Sequence, residues 1–382
     1  MNDNDTHILI APNAFKHSLD AADAAEALAR GFGQSQLPCK TTCFPIGDGG
    51  DGTCQLIRLA LGGRFVEHTV QDPLGRSITA GYSLVHDGRT AVIEMADASG
   101  IRLLNPDALD PMRASSYGTG QLVRRALEEG VSHVVIGMGG SATVDGGCGI
   151  LQALGARFYD SSGHELAGYP AALENVARID LGNLDPRLAS CRITVLCDVN
   201  NPLLGAAGAA AVFGPQKGAT DAQVTRLEDF LRRLDGLSRA LTGRSMSESP
   251  HSGTAGGAAA GLYALAGATL VPGIDFFLDM TGFDAALDKA DWVVTGEGSL
   301  DSQTLGGKGP MGVAQRARSR RIPVIGLAGK LPLRPEESLL EAFDVLLAIG
   351  NAPSSLAEAF AHTEANLERT ACAVGNLIAA RR

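Results

Sequence analysis

Residues Gly47-Asp48-Gly49-Gly50-Asp51-Gly52 set two carboxylates three positions apart among four glycines, directly after the apolar-leaning stretch Thr41-Thr42-Cys43-Phe44-Pro45-Ile46. Glycine admits positive φ and lets the backbone approach a ligand closely. Carboxylates at this spacing on a turn can hold a hard cation or take a proton from a hydroxyl. The plainer alternative is an exposed turn that uses Gly and Asp for geometry alone.

Four more polar loops follow apolar runs: Pro12 to Lys16, Asp198 to Gly205, and the glycine-rich Gly139 to Gly147 and Gly296 to Gly309. Strand-loop-helix order aims backbone N–H groups at helix N-termini, where anions bind. Gly139 to Gly147 (GGSATVDGG) offers the hydroxyls of Ser141 and Thr143, and Asp145 for a metal or a proton. The last loop combines Glu297, Ser299, Asp301 and Lys308. Together the loops favour phosphate and metal over a purely structural role. Known phosphate and nucleophile signatures are absent: Gly306-Gly307-Lys308-Gly309 lacks the spacing and the Ser/Thr of a Walker A loop, and no GxGxxG follows the first strand. There is neither a protein-kinase catalytic motif nor a GxSxG elbow. His17 and His133 have no paired ligand spacing, and His133 beside Val134-Val135 reads as a satisfied core or edge residue.

The elements that must position these loops begin with a strand over 7–11, a helix over 19–32 with Ser18 as N-cap, a strand over 41–44 and a helix over 53–61. This is the opening of a parallel sheet. Strand-like runs at 64–69, 78–85 and 90–95 then follow, and the tight Asp87-Gly88 turn predicts antiparallel pairing. A helix over 116–129 leads to a strand over 131–137, a helix reaching about Phe158, and a strand over 193–197. Parallel rhythm returns at 292–295, 323–327 and 345–349. The chain therefore reads as α/β with a discontinuous Rossmann-like domain over 1–66 and 286–382 and a second α/β domain over 67–285 inserted into it. Continuous N- and C-terminal domains are the alternative.

A chain of 382 residues suits about two domains. Its net charge of −10 argues against a general nucleic-acid surface, yet a local pocket can still be positive for an anionic substrate. The seven cysteines form no CxxC pair and read as reduced thiols of a cytosolic protein rather than as a zinc site. The N-terminal residues carry no signal-peptide pattern. Gly253 to Gly273 lacks charge, but its six glycines predict a closely packed buried helix rather than a membrane span. Val271 to Leu278 is apolar enough for a core or an interface, which leaves a homodimer open.

The stretches Ala11 to Lys16, Pro45 to Thr53, Gly137 to Thr143, Cys197 to Leu203 and Thr295 to Asp301 closely resemble the type 1 glycerate kinase family, in consistent order from about Ile8 to Gly350. The resemblance implies ATP-dependent phosphorylation of D-glycerate with Mg²⁺ in the cytoplasm, within glycerate, glyoxylate or sugar-acid catabolism. It favours 2-phosphoglycerate over 3-phosphoglycerate as product. It also implies two α/β domains, one inserted in the other, with the active site in the cleft.

In that frame Asp198, which ends a buried strand, is the expected base for the glycerate hydroxyl, with Asp48 and Asp51 as rivals or as Mg²⁺ ligands beside Asp301. Lys16 is the candidate for the glycerate carboxylate or the transferring phosphate, against a solvated loop lysine. Asn13, Ser141, Thr143, Asp145 and Asn200 would form the substrate and phosphate cradle. Gly296, Glu297, Ser299 and Lys308 would hold the nucleotide. Two other classes stay open: a kinase for another small hydroxy acid, and a non-catalytic metabolite sensor. No nucleic-acid or membrane partner is expected.

Overall fold

The computed structural model describes residues 6–301 and 309–380. Its strands in chain order are β1 (Thr6–Ile10), β2 (Cys39–Cys43), β3 (Arg64–Gln71), β4 (Ser77–Val85), β5 (Thr90–Glu94), β6 (His133–Gly137), β7 (Arg157–Tyr159), β8 (Glu165–Leu166), β9 (Arg178–Asp180), β10 (Arg192–Cys197), β11 (Thr269–Pro272), β12 (Trp292–Ser299), β13 (Val324–Lys330) and β14 (Val345–Ala348). The chain is mixed α/β, as its alternating pattern predicts. Its internal contacts separate two units, 1–48 with 274–382, and 49–273.

The first unit holds a five-stranded sheet in the order β14-β13-β12-β1-β2, with every pair parallel. Parallel strands covered on both faces need near-continuous apolar runs. Ile8, Ile10, Val294, Ile325 and Leu327 supply them and are buried with Leu28, Phe32 and Leu367 of flanking helices. The helix Ala21–Gly33 connects β1 to β2. Its N-cap is Asp20, whose carboxylate accepts from the Asp23 N–H, and not Ser18. Ser18 Oγ instead donates to the Phe360 carbonyl at 3.0 Å.

The second unit holds a six-stranded sheet in the order β11-β10-β6-β5-β4-β3. β5, β6, β10 and β11 pair parallel, and β3-β4-β5 pair antiparallel, as the Asp87-Gly88 turn predicts. A three-stranded sheet, β8-β7-β9, lies apart from it. The core gathers Ile93, Leu122, Val134, Ile136, Val195, Phe158, Phe230 and Leu262, all buried. Each such side chain contributes roughly 1.5–3 kcal/mol by leaving water.

The boundaries between the units fall at 48/49 and 273/274, where the sequence reading places them at 66/67 and 285/286. The helix Thr53–Leu61 packs on β4 and β5, and Ile274, Phe277 and Leu278 are buried. The helix expected to reach Phe158 covers only Cys148–Ala153, because Gly155 takes positive φ and β7 begins at Arg157. The segment Gly296-Glu297-Gly298-Ser299 is not loop but the end of β12, in register with β13. Gly296 is required there, since a Cβ on it would stand 2.0 Å from the Leu327 carbonyl oxygen. The uncharged Gly253 to Gly273 stretch contains the buried helix Ala258–Ala266. Among the described residues no helix is long and apolar enough to cross a membrane.

Candidate active site

In the first unit the strand order reverses between β1 and β12: β1 is followed in sequence by its neighbour β2, while β12 leads away to β13 and β14. Ligands of open α/β sheets bind at the C-terminal ends of strands at such a point. Asn13, Lys16, Asp48, Gly296, Glu297, Ser299 and Asp301 all lie there, on the end of β12 or on segments leaving β1, β2 and β12.

Backbone bonds hold the loop after β1 against β12. Ala11 N donates to the Val294 carbonyl at 2.7 Å, and Asn13 N to the Gly296 carbonyl at 2.8 Å. Ile46 N donates to the Pro12 carbonyl at 3.0 Å and so brings the loop after β2 alongside. The buried Asn13 amide then donates to Asp48 Oδ2 at 2.9 Å, while its oxygen accepts from Ala14 N at 2.8 Å. Ser299 Oγ donates to Asp301 Oδ2 at 2.9 Å. Glu297 is buried and Lys16 exposed. Lys16 N lies 3.6 Å from where a Cβ on Gly298 would stand, so its turn covers the end of β12. The helix Gly309–Ser319 starts beside Asn13, and a Cβ on Gly309 would meet Asn13 Nδ2 at 2.9 Å. Lys308 lies outside the described residues.

This set can serve a nucleotide. Carboxylates, an amide and a hydroxyl are hard oxygen and nitrogen groups, and a helix N-terminus favours phosphate. Among the described residues no three His, Cys, Asp or Glu side chains cluster as a metal cage. Mg²⁺ held together with phosphates ordinarily takes only one or two carboxylates, and Asp48 and Asp301 have that chemistry.

In the second unit β6 and β10 are adjacent and parallel, so the loops that follow them meet. Gly140, Ser141, Asp198, Val199, Gln216 and Lys217 help line one cavity of about 120 Å³. Lys217 is 3% exposed, and its Nζ donates to Ser141 Oγ at 2.9 Å and to the Thr143 carbonyl at 2.7 Å. Burial pushes the Lys217 ammonium down to about 8, against the opposing charges of Asp145 and Asp198. Asp51 stands beside this turn: Gly140 has φ 69°, and a Cβ on it would come within 2.6 Å of Asp51 Oδ1. The Asp51 carboxylate is 3.9 Å from the Arg102 guanidinium, which also pairs with Asp97.

Ser141 and Asp198, singled out in the sequence, thus share one cavity, whereas Asp145 does not face it. Asp145 is fully buried and accepts from Ser116 N and Oγ at 2.7 Å each, Gly147 N at 3.0 Å and Gly149 N at 3.2 Å. Burial pushes its carboxyl up, and these donors oppose the shift. It ties two loops together rather than presenting an oxygen to a ligand. Thr143 is buried and contributes its carbonyl to Lys217; Asn200 is exposed on the loop after β10. Lys217 has no counterpart in the sequence reading. The only local signal is Gly214-Pro215-Gln216-Lys217-Gly218, a polar turn between helices.

The glycerate kinase family model matches residues 8–379. The chain is 42% identical to the glycerate kinase of Bacillus subtilis strain 168, over 95% of each chain. It is 40% identical to the glycerate 2-kinase of Escherichia coli K12, over 92% of this chain and 93% of the relative. A crystal structure from Salmonella typhimurium LT2, described as a candidate glycerate kinase 2, superposes with a TM-score of 0.84 at 42% identity and covers 99% of both chains.

Proposed function

Because the chain belongs to the glycerate kinase family, we propose that it transfers the γ-phosphoryl group of ATP to D-glycerate, with 2-phosphoglycerate as the product. The 40% identity to a glycerate 2-kinase supports that regiochemistry. The observation that carries the acceptor side is the single cavity lined by Asp198, Ser141 and Lys217 at the ends of β6 and β10.

Phosphoryl transfer asks for positioning and charge neutralisation more than for covalent help. Asp198 orients the glycerate hydroxyl and accepts its proton as the oxygen attacks phosphorus. Ser141 and the Gly139-Gly140 backbone place the acceptor. Asp51, at the rim of the same turn, has the alternative role of base. Asn13 and Asp48, with Gly296, Glu297, Ser299, Asp301 and Lys308, form the nucleotide side, and Lys16 faces the phosphates. Asp48 and Asp301 would hold Mg²⁺, which when bound neutralises phosphate charge.

The test is ³¹P NMR of the protein with ATP, Mg²⁺ and D-glycerate. A new phosphomonoester signal matching authentic 2-phosphoglycerate is expected. A match to 3-phosphoglycerate would overturn the regiochemistry. Unconsumed ATP with folded protein would overturn the substrate and favour another hydroxy acid.

A further inference from the structure

We propose that Lys217 recognises the carboxylate of the substrate, so that the acid group of the acceptor is read by a buried ammonium contributed by the Pro215–Lys217 turn. This inference rests on the reading of the chain as a D-glycerate kinase and names how that substrate is selected.

Three observations carry it. First, an ammonium has three N–H donors. Ser141 Oγ and the Thr143 carbonyl take two of them, at 2.9 and 2.7 Å. Those two bonds hold Nζ and leave its third N–H, on a residue that lines the cavity, for a ligand. Second, burying a cation is costly unless an anion compensates it. Asp145 already accepts from Ser116, Gly147 and Gly149, and Asp198 is the other acid whose charge acts on Lys217. The acceptors at Nζ, Ser141 Oγ and the Thr143 carbonyl, are both neutral, and a carboxylate entering the cavity adds a charged one beside them. Third, the cavity measures about 120 Å³, well below the ~300–1,000 Å³ of pockets that enclose drug-sized ligands. A space of that size accommodates a three-carbon acid. With Asp198 lining the same space, an acid held by Lys217 presents its hydroxyls to the expected base. Lys16, exposed on its loop, is then left to the phosphates.

A strut role is the competing explanation, because Lys217 also ties the Ser141–Thr143 loop to its own turn. The two roles separate when D-glycerate is compared with D-glyceramide, which keeps both hydroxyls but is neutral. Wild type, Lys217→Met and Lys217→Gln are assayed with both acceptors, and each is melted to verify folding. Lys217→Met is expected to lower kcat/KM for D-glycerate about 10–100-fold, the size of a lost hydrogen bond to a charged group. The loss should sit mainly in the D-glycerate KM and leave the KM for ATP near wild type. The preference for D-glycerate over D-glyceramide should collapse in both variants. An unchanged preference in a folded variant overturns the inference.

Wild type alone provides a second measurement if both variants unfold. With the ammonium facing Asp145 and Asp198, kcat/KM for D-glycerate should fall as pH rises through about 8, where the cation is lost, while D-glyceramide shows no such limb. Identical profiles overturn the inference. Should wild type fail to turn over D-glycerate, calorimetric titration with D-glycerate and D-glyceramide still decides: equal affinities overturn the carboxylate role, and tighter D-glycerate binding sustains it although the kinase reading has failed.

Discussion

The side-chain amide of Asn13 donates to the Asp48 carboxylate at 2.9 Å, joining the loop after β1 to the loop after β2. The bond fixes which Asp48 oxygen faces Asn13 and leaves the other lone pairs to be placed by that orientation. Asp48 is one of the two carboxylates proposed for Mg²⁺, and on that proposal Asn13 would position it.

Asn13→Ala should therefore lower kcat about 10–100-fold, the scale of a lost hydrogen bond to a charged group. It should raise the Mg²⁺ concentration for half-maximal rate and leave the D-glycerate KM close to wild type. Asp48→Asn should do the same more strongly. A Mg²⁺ titration of initial rates checks both; an unmoved midpoint in the Asp48 variant would remove Asp48 from the metal.

Asp198→Asn keeps the shape of the cavity but cannot accept the hydroxyl proton. A general base is worth about 10²–10⁴-fold, so kcat should fall by that factor with little change in the KM for ATP. If steady-state kinetics return a near-normal kcat, Asp51 takes the role of base.

Asp145 makes the opposite prediction to the other acids. Its carboxylate meets only donors, from Ser116, Gly147 and Gly149. An Asn side chain would turn an N–H₂ group toward some of them. Asp145→Asn should cost about 2–4 kcal/mol of stability, the range for breaking a buried charged hydrogen-bond set. Urea denaturation measures this. Lost activity at unchanged stability would instead assign Asp145 to the ligand.

His133 should make the protein acid-sensitive. The buried ring accepts from Arg192 Nη2 at Nδ1 (2.9 Å) and contacts Thr194 Oγ1 through Nε2 at 2.9 Å. Burial, then the charges of Arg192 and His86, push it down to about 4 from an ordinary 6.5. Between those values the unfolded chain binds the proton and the folded one does not, so stability falls as pH drops from 6.5 toward 4. His133→Gln should flatten that slope in melting curves taken across this range. Parallel curves for the two proteins would show that His133 contributes nothing to it.

Much of the fold and part of the site are legible in single segments. Apolar runs such as 193–197 and 292–295 mark strands, and polar punctuation after them marks the ends where ligands bind. The Asp87-Gly88 turn announces the antiparallel pairing of β4 and β5. These are local properties: backbone freedom, turn chemistry and hydrophobic period act within a few residues. The placement of Asn13 and Asp48 on loops after strands follows from them.

Other features arise only when distant segments meet. Glu297 and Ser299 look like loop residues because Gly296 and Gly298 surround them, yet the ladder with Ala328 and Lys330 draws them into β12. Asp145 looks like a ligand among glycines, but donors from Ser116, 29 residues away, turn it inward. Lys217 carries no local mark of function. It comes to line the cavity because the turn holding it folds against Ser141, 76 positions earlier in the chain. Sequence thus determined most strands of the two main sheets, the Asp87-Gly88 turn and the chemical character of the loops. Tertiary structure alone decided which polar groups face a cavity and which are spent on the scaffold, because burial and partner choice depend on contacts that no local pattern encodes.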